Sequence, residues 1–406
     1  MRLAVVSPFV DRRHGTERAL AEVLERLSCK EHCEIHLYAQ RVEDLAVSQP
    51  RGALSQDSGA ILWHKVPSVP GPHLLQFLAW LLLNSICRAW DRWVHGLRFD
   101  LVVSPGINCL DADVVIVHAL FHRLQELALA GDLDSARPRL LRRLHRRAYY
   151  ALLAGLERRI YANPKVSLAA VSQRTATLLV DYFHRHDVRV IPNGVDTAQF
   201  SPSARLALRT EARRRRTIHE ADFVLLLIGN DWRVKGLETV LRAVSTVRKT
   251  PIFLIAAGDD SPDYFRETAK SLGISERCRF EPSLDDVLDF YAAADLYVSP
   301  SREDSFGLPV AEAMACGLPV VTSTCAGAAD LIRDGTDGFI LRQVDDYHGL
   351  AKMLQELHAD VLLRGSVGAA AANAALQWTW DRNAADFWEL LKDSARKKLP
   401  LTARRP

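Results

Sequence analysis

The sequence lacks several features that would place it among secreted, disulfide-bonded or metal-binding proteins. Its 406 residues include seven cysteines, an odd number that forms no CxxC pair, and several of them lie within apolar runs. This pattern favours buried thiols in a reducing cytoplasm over a disulfide or metal framework. The most apolar stretch, residues 73–90, is shorter than the ~20 residues that a membrane-spanning helix needs. Met1 is followed directly by a predicted strand, RLAVVSP, so we expect no signal peptide.

The composition is that of an ordinary globular protein, with 48% hydrophobic and 25% charged residues. A chain of this length exceeds what one hydrophobic core usually supports, so two domains are expected. The formal net charge is +3, yet residues 137–165 alone contain nine basic residues and one acid. The excess of positive charge is therefore concentrated in this one stretch.

The basic stretch has the pattern of an amphipathic helix, because arginine pairs alternate with Leu, Tyr and Ile through residues 137–159. Two interpretations remain open. A basic amphipathic helix is typical of a membrane surface or of a site for acidic ligands. The alternative is a solvated helix that packs by its apolar stripe and leaves its arginines in water.

Short apolar runs rich in β-branched residues alternate with segments of helical spacing along the whole chain. The runs include RLAVVSP, DLVVSP and DVVIVHA in the N-terminal half, and FVLLLIGN, PIFLIAAGD and ADLYVSPS in the C-terminal half. This alternation predicts parallel sheets with helices on both faces. We therefore predict an α/β protein with two doubly wound, Rossmann-like domains, residues 1–193 and 194–379, joined near the turn-rich segment 191–202. The last helix, 380–396, is expected to pack back on the first domain.

One stretch of the second domain, SREDSFGLPVAEAMACGLPVV at residues 301–321, has the features of an anion site. A strand is expected to end near Ser299, and a helix to begin near Leu308 with Pro309 in its first turn, where a missing N–H costs nothing. Gly307 permits a ligand to approach the backbone closely. The free N–H groups of the first helical turn can then bind a phosphate without a metal.

Two carboxylates accompany this helix start. Glu312 lies one turn into the predicted helix, where it can accept hydrogen bonds from vicinal hydroxyls such as those of a ribose, and Asp304 can do the same for a second sugar. A phosphate between two sets of hydroxyls describes a nucleotide-sugar. The alternative is that both acids only favour the positive end of the helix dipole, worth ~0.3–1 kcal/mol. That alternative does not account for their spacing together with Gly307.

A basic loop follows the strand FVLLLIG. In GNDWRVKG, residues 229–236, Arg233 and Lys235 can neutralise a diphosphate leaving group, because pre-aimed cations stabilise charge where it develops. The alternative is a surface-exposed basic turn.

EDSFGLPVAEAMACGLPVV resembles the E-x7-E signature of the retaining GT-B glycosyltransferases of family four, also called group one. That family includes sucrose-phosphate, mannosyl and lipopolysaccharide-core transferases. HGTERALAEVLERL, VSQRTATLLVDYF, VIPNGVDTAQFSP and IGNDWRVKGLETVLRAV fit the same family. The resemblance extends over nearly the whole chain and is strongest at residues 188–345. It implies the GT-B fold, with acceptor binding by the first domain and nucleotide-sugar binding by the second.

The resemblance also implies roles for individual residues. Asp304 takes the first acidic position and would hold hydroxyls of the donor sugar, while Glu312 would hold the ribose. His118, at the end of the strand in DVVIVHA, would lie near the reacting carbon, and a satisfied core histidine is the alternative. Gly15 opens a helix after the first strand and would present N–H groups to a ligand. The other expected donor contacts and catalytic cations are Ser305, Phe306, Gly307, Leu308, Arg233 and Lys235.

The sequence departs from the family pattern at several positions. The first acid is Asp304 where the family has Glu, which retracts the carboxylate by one methylene. Asn230 stands where many members have Arg, and His14-Gly15 stands where they usually have two glycines. The DAD triplet at 111–113 precedes a strand and so lies at the wrong end of a sheet for an Asp-x-Asp metal site. We therefore predict no metal.

These observations together predict a retaining, metal-independent hexosyltransferase that needs no cofactor. The donor is a nucleotide diphosphate-sugar, with UDP favoured over GDP, and the acceptor is a cell-surface glycan or glycolipid of lipopolysaccharide or exopolysaccharide biosynthesis. We expect no nucleic-acid partner and a cytoplasmic location, on the inner face of the membrane if residues 137–159 bind it. Two alternatives stay open: a nucleotide-sugar epimerase or phosphorylase on the same fold, and a non-catalytic nucleotide-sugar-binding subunit.

Overall fold

The computed structural model describes most of the chain, namely residues 1–30, 33–49, 60–130, 140–247, 250–284 and 286–398. The side chains of residues 130 and 140–145 lie outside that description. The chain divides into two compact units. Unit 1 contains Met1–Glu126, Leu140–Asn193 and the chain from Trp380, and unit 2 is built mainly from Gly194–Thr379.

Unit 1 contains a seven-stranded parallel sheet whose strands are connected mainly through helices, in the spatial order β5-β3-β1-β6-β7-β8-β9. Short β2 and β4 pair with each other beside it. The elements up to the end of the sheet are β1 (Arg2–Val6), β2 (Phe9–Val10), α1 (Gly15–Ser28), β3 (Glu34–Ala39), β4 (Arg41–Val42), β5 (Ile61–Lys65), α2 (His73–Val94), β6 (Leu101–Pro105), β7 (Val114–Val117), α3 (Phe121–Ala130), α4 (Leu140–Tyr161), β8 (Ser167–Ala170), α5 (Gln173–Phe183) and β9 (Arg189–Val190).

Unit 2 contains a six-stranded parallel sheet in the order β12-β11-β10-β13-β14-β15. Two short 3-10 helices also occur, at Ser275–Arg277 and Gly327–Leu331. The remaining elements are α6 (Pro202–Arg215), β10 (Phe223–Ile228), α7 (Leu237–Thr246), β11 (Ile252–Ala257), α8 (Asp263–Ser271), β12 (Cys278–Glu281), α9 (Leu288–Ala293), β13 (Leu296–Ser299), α10 (Leu308–Ala315), β14 (Val320–Ser323), β15 (Phe339–Leu341), α11 (Tyr347–Ala359) and α12 (Val361–Ala375). The last helix, α13 (Trp380–Lys398), belongs to unit 1.

The expected fold class, with two doubly wound α/β domains, is confirmed. The central strands are apolar on both faces because helices cover both sides, and in β10 (FVLLLI) five of six residues are buried. In unit 2 the chain moves outward from β10 to β11 and β12, then returns to β13 on the other side of β10. In unit 1 it makes the same reversal between β1 and β6. Loops that follow strands at such a reversal meet at the sheet edge where this class of fold binds ligands.

The last helix packs on unit 1, chiefly against α1. The Arg26 side chain donates to Asp381 at 2.7 Å, and the Ser394 hydroxyl bonds that of Ser167 at 2.8 Å. The aromatic-rich stretch LQWTWDRNAADFWELLKD, residues 376–393, has the pattern of one amphipathic helix, but its first four residues do not belong to a helix. Helix α12 ends at Ala375, and the carbonyl of Trp378 instead accepts the N–H of Val195 at 2.8 Å. A turn at Leu376 and Gln377 therefore separates the two helices.

Two helices of unit 1 end beyond the residues that the sequence predicted for them. Helix α2 continues to Val94, beyond the apolar run at 73–90. The basic helix predicted at 137–159 corresponds to α4 from residue 140, whereas residues 137–139 lie outside the described residues. Within the described ranges, no helix combines the length and the hydropathy that crossing a bilayer requires.

Candidate active site

Lys235 lies in the loop that follows β10, and contacts of Trp232 and Gly229 position this loop. Its Trp232 side chain is buried, and the Trp232 N–H donates to the Asp260 carboxylate at 2.7 Å. Gly229 has φ +144°, and a Cβ there would lie 2.9 Å from Lys235 Cε. The lysine stem therefore crosses directly over this glycine. The backbone conformation at Gly229 is one that residues with a Cβ rarely adopt, which favours glycine beneath the lysine.

The loop after β13 is fixed by backbone hydrogen bonds around Asp304. The Asp304 N–H donates to the Cys325 carbonyl at 3.1 Å, and the Asp304 carbonyl accepts the N–H of Gly327 at 2.8 Å. Phe306 is buried next to it, and Gly307 begins α10 with φ +92°. A Cβ on Gly307 would lie 3.3 Å from Asp304 Oδ2. The carboxylate and the helix start are thus in direct proximity.

Helix α10 begins where the sequence predicted. Leu308 is its first residue, Pro309 lies in its first turn, and Ser305 precedes it in a half-buried position. Helical geometry leaves the first N–H groups of α10 without partners inside the helix. Phe306 is anchored by its carbonyl, which accepts the N–H of Ala328 at 2.5 Å. The backbone that would meet a phosphate is therefore held rigidly.

The two loops meet through one ion pair. Lys235 Nζ lies 2.5 Å from Asp304 Oδ2, and only 18% and 14% of the two side chains are exposed. Their strands, β10 and β13, are neighbours at the reversal of the sheet order. A ligand that binds Lys235 or Asp304 must therefore either join this ion pair or break it. The structure therefore brings together two residues for which the sequence suggested separate tasks.

Glu312 is buried one turn into α10. Its Oε2 accepts a hydrogen bond of 2.7 Å from the Tyr291 hydroxyl, which comes from α9. Burial, with the nearby Glu312 carboxylate, raises the pKa of Tyr291 well above its usual value. Tyr291 therefore remains a hydrogen-bond donor at any ordinary pH. Sequence reasoning missed this residue, and its only signal was a tyrosine within the apolar stretch LDFYAAADLYV.

Arg233 takes a different position from Lys235. Its guanidinium lies 5.9 Å from the centre of the Tyr264 ring, on α8, which is an ordinary cation–π distance. The Tyr264 hydroxyl bonds Glu238 at 3.2 Å. Arg233 is half-buried beside this tyrosine.

Unit 1 contains a cavity of about 310 Å³. Loops after β1, β3, β6 and β7 contribute to it, together with helices α1 to α4. None of the lining residues carries a full charge at neutral pH if its histidines are neutral. They are Pro8, Phe9, Thr16, Gln40, His73, Gln76, Phe77, Trp80, Pro105, Gly106, Ile107, Asn108, His118, Ala119, Phe121, Tyr149 and Tyr161.

His118 follows β7 and lines this cavity. It is buried, and neither ring nitrogen has a hydrogen-bond partner of good geometry within the described part of the chain. Burial, opposed only by a weak interaction with the Ile116 backbone, lowers the pKa of His118 to about 4. The ring is therefore neutral at pH 7. A buried polar ring without a partner is uncommon, and it faces a space large enough for a ligand.

The neighbouring histidine has a structural task. His122 Nδ1 lies 2.7 Å from Glu157, a fully buried carboxylate of α4. The same carboxylate accepts the N–H groups of Phe121 and His122 at 2.6 and 3.0 Å. Glu157 thus satisfies the start of α3, and His122 completes that arrangement.

Gly15 opens helix α1, as the sequence suggested, but its helix start already has an acid nearby. The Asp11 carboxylate accepts the N–H groups of Arg13 and His14, both at 2.9 Å, and lies 3.0 Å from the His14 ring. Burial alone would raise the pKa of Asp11, but these bonds hold it below its usual value. A phosphate near Gly15 would therefore meet a permanent carboxylate.

The DAD triplet takes part in structural ion pairs. Asp111 makes two bonds of 2.7 Å with Arg88, and Asp113 Oδ2 accepts from the Val102 N–H and from Lys398, both at 2.8 Å. Among the residues that the structure describes, no group of three or more His, Cys, Asp or Glu side chains is arranged to hold a metal ion.

Comparison with known proteins connects both units to glycosyltransferases. Residues 13–199 match the Glycosyltransferase Family 4 model, and residues 222–360 match the model for Glycosyl transferases group 1. These two matches together span most of the chain. They support a glycosyltransferase assignment for each unit.

The curated relatives that the chain resembles are also named as glycosyltransferases. The chain is 32% identical over 237 residues to D-inositol 3-phosphate glycosyltransferase of Salinispora arenicola, which is 53% of each protein. It is 28% identical over 339 residues to the enzyme of that name from Arthrobacter, covering 79% of this chain and 76% of the relative. The chain spans about half the length of the first such relatives.

Solved structures show the same fold across the whole chain. The lipopolysaccharide glycosyltransferase WaaG superposes with a TM-score of 0.72 at 20% identity, covering 97% of this chain and 99% of WaaG. Sucrose-phosphate synthase from Thermosynechococcus elongatus gives 0.73 at 17% identity, covering 97% and 98%. Anabaena HepE in complex with UDP-glucose gives 0.69 at 18% identity, covering 97% and 100%. The chain therefore has the GT-B glycosyltransferase fold.

Proposed function

We propose that this chain, whose two units each match a glycosyltransferase model, is a retaining hexosyltransferase that uses a nucleotide diphosphate-sugar without a metal. The observation that carries the proposal is the arrangement at α10. A lysine–aspartate pair, a left-handed glycine at the helix start and a buried glutamate eight positions after the aspartate converge there. UDP is the favoured nucleotide of the donor because HepE, of the same fold, was solved with UDP-glucose.

Unit 2 binds the donor in this proposal. Glu312, held by Tyr291, accepts a hydrogen bond from a ribose hydroxyl. The N–H groups of Gly307 and Leu308 bind a phosphate oxygen at the positive end of α10. Lys235 moves part of its interaction from Asp304 to the diphosphate, and Arg233 adds a second cation. Asp304, Ser305 and Phe306 contact the hydroxyls of the donor sugar.

The reaction needs little covalent participation from the protein. The bond between the anomeric carbon and the diphosphate oxygen breaks, and the sugar gains oxocarbenium character. Lys235 stabilises the charge that develops on the diphosphate. The acceptor hydroxyl attacks from the same face and gives its proton to the departing diphosphate. Asp304 is bonded to Lys235 and is assigned to hydroxyl binding, so it is not a covalent nucleophile of the kind that retaining glycosidases use.

Unit 1 binds the acceptor in the cavity that His118 lines. Its neutral ring can exchange a hydrogen bond with a sugar hydroxyl, and the aromatic side chains offer apolar faces to sugar rings. Among the residues that the structure describes, no Asp, Glu, Lys or Arg side chain lines the cavity. We therefore propose an uncharged glycan or glycolipid portion as the acceptor, in contrast to the relatives whose name specifies inositol 3-phosphate. We propose that the reaction takes place at the cytoplasmic face of the membrane where surface polysaccharide is made. Residues 137–159 would contact anionic lipid there.

Binding of the donor is the first test. We expect one nucleotide family among UDP-, GDP- and ADP-sugars to raise the melting temperature. A ligand at 100 times its dissociation constant adds about 2.7 kcal/mol of stability. Glu312→Gln keeps the shape and the Tyr291 contact but loses the charge, so it should weaken this effect. If none of the three families shifts the melting temperature, the donor assignment is wrong.

A non-catalytic nucleotide-sugar-binding subunit remains the second candidate. It is favoured by the Lys235–Asp304 pair, which neutralises the expected catalytic cation, and by the carboxylate of Asp11 beside Gly15. It predicts donor binding without turnover.

A further inference from the structure

We infer that the outward face of α2 in unit 1 binds the surface of a lipid bilayer. This apolar face consists of Leu75, Leu78, Leu82, Ile86, Trp90 and Trp93, which are between 42% and 86% exposed. Their spacing of three and four residues places them on one side of the helix. The apolar face runs from Leu75 to Trp93 and is therefore about 27 Å long.

Besides the apolar side chains that it packs on the core of unit 1, such as Phe77, Leu81 and Cys87, helix α2 carries apolar side chains on its outward side. Its buried residues are Trp80, Asn84 and Arg88, so two of the three are polar. Asn84 Nδ2 donates to the Trp80 carbonyl at 2.7 Å, and Arg88 makes two bonds of 2.7 Å with Asp111. A surface helix normally turns its polar side to water and its apolar side to the core. Here Asn84 and Arg88 are hydrogen-bonded on the inward side, although Arg88 Nε has no partner in the described part of the chain. The outward apolar side chains remain exposed among the described residues.

The apolar face is free of acidic side chains. The one acid of α2, Asp91, turns inward, where it accepts from the Tyr38 hydroxyl at 2.7 Å and lies 2.7 Å from His64 Nδ1. The exposed charge on the helix is Arg92, and Arg98 is exposed just beyond its end. Basic side chains at the rim of an apolar face complement anionic lipid headgroups.

The chemistry of the face selects a bilayer over a second copy of the chain. Trp90 and Trp93 cluster at its C-terminal end, and tryptophan rings favour the boundary between hydrocarbon and water. Exposed basic side chains beside these rings, Arg92 and Arg98, suit an anionic lipid surface rather than an identical copy that carries the same charges. The membrane contact lies on α2 and is therefore separate from the contact proposed for residues 137–159.

The helix also connects this surface to the cavity. His73, Gln76, Phe77 and Trp80, from the N-terminal half of α2, line the cavity that contains His118. A helix with its side chains is about 10–12 Å thick, so the cavity lies one helix away from a bound bilayer. A glycolipid acceptor could then keep its acyl chains in the bilayer while its sugar occupies the cavity. This last step rests on the proposed function, whereas binding to lipid does not.

The test compares two matched double variants by co-sedimentation with vesicles. Leu82→Glu with Trp93→Glu changes the apolar face, at positions that are 62% and 86% exposed. Leu206→Glu with Leu362→Glu changes helix surfaces of unit 2 that are 57% and 86% exposed. Both variants add two negative charges, so the change in net charge is the same in the two. The probes are vesicles of phosphatidylcholine with phosphatidylglycerol, and of phosphatidylcholine alone.

We expect the wild type and the unit 2 variant to bind the anionic vesicles, and the α2 variant to bind at least about tenfold more weakly. Equal binding by the two variants, or no binding by the wild type, would overturn the inference. Sedimentation velocity without vesicles tests whether a second copy of the chain binds the apolar face instead. A wild-type dimer that becomes monomeric in the α2 variant would assign the face to a second copy and also overturn it. The melting-temperature shift with the nucleotide-sugar should be the same in all three proteins, which separates this result from failure of the proposed function.

Discussion

At the scale of residues, the candidate site consists of pairs of side chains that lie far apart in the sequence. Lys235 and Asp304 meet because β10 and β13 are neighbours at the point where the sheet order reverses. Tyr291 and Glu312 meet because α9 and α10 both adjoin β13 along the chain. Each pair is largely buried, so each carries measurable energy as well as a proposed task.

Removing one partner of the ion pair should cost both stability and activity. Lys235→Met leaves the Asp304 carboxylate largely buried and unpaired, while Asp304→Asn leaves the ammonium. The coupling energy from a double-mutant cycle in urea should be about 1–3 kcal/mol. Lys235→Met should also reduce kcat about 10²- to 10³-fold, because a preorganised cation is lost. Additive stabilities in the cycle would show that the contact has no energetic role.

Tyr291→Phe should weaken nucleotide binding although the tyrosine is not proposed to touch the ligand. The change removes the 2.7 Å hydrogen bond to Glu312 and leaves a buried carboxylate oxygen less satisfied. Stability should fall by about 1–3 kcal/mol. Calorimetric titration with the nucleotide diphosphate should give a higher Kd than wild type. Unchanged affinity would mean that Glu312 needs no positioning.

Stability should fall as the pH drops below the usual pKa of histidine. The pKa of His118 is about 4 in the folded protein and near 6.5 in the unfolded chain, so the unfolded state takes up the proton first. The loss begins near pH 6.5 and is complete near pH 4, reaching about 3 kcal/mol for this group. His118→Phe should flatten the profile measured in urea relative to wild type. His64, whose pKa is also about 4, remains in both proteins as a common background.

At the scale of elements, we expect an added side chain at the start of α10 to affect nucleotide binding. Gly307→Ala adds a Cβ 3.3 Å from Asp304 Oδ2 at φ +92°, whereas Gly335→Ala adds one at φ +76° in open space. Both changes should cost about 1–2 kcal/mol of stability, because both positions are left-handed. Only Gly307→Ala should also reduce nucleotide affinity in a calorimetric titration. Equal affinities in the two variants would remove the helix start from the binding site.

The sequence predicted some elements well for clear physical reasons. Apolar runs flanked by turn residues located the central strands, and Gly307 with Pro309 located the beginning of α10. It could not reveal that α2 leaves one apolar face exposed, because periodicity does not show which side of a helix is buried. Asn84 bonds the Trp80 carbonyl of its own helix, whereas Arg88 is buried against Asp111 from the loop after β6, a contact that the local sequence does not show.

At the scale of the whole molecule, the central claim is sugar transfer with retention of configuration. Acceptor identity is not needed to test it, because water can replace the acceptor in a slow side reaction. The measurement is proton NMR of the free sugar released from a panel of UDP-α-hexoses, recorded before mutarotation, with Lys235→Met as the control. We predict the α-anomer first, in equal amount to the UDP released, and a much slower release in the variant. The β-anomer first, or bound donor that is never turned over, would contradict the account.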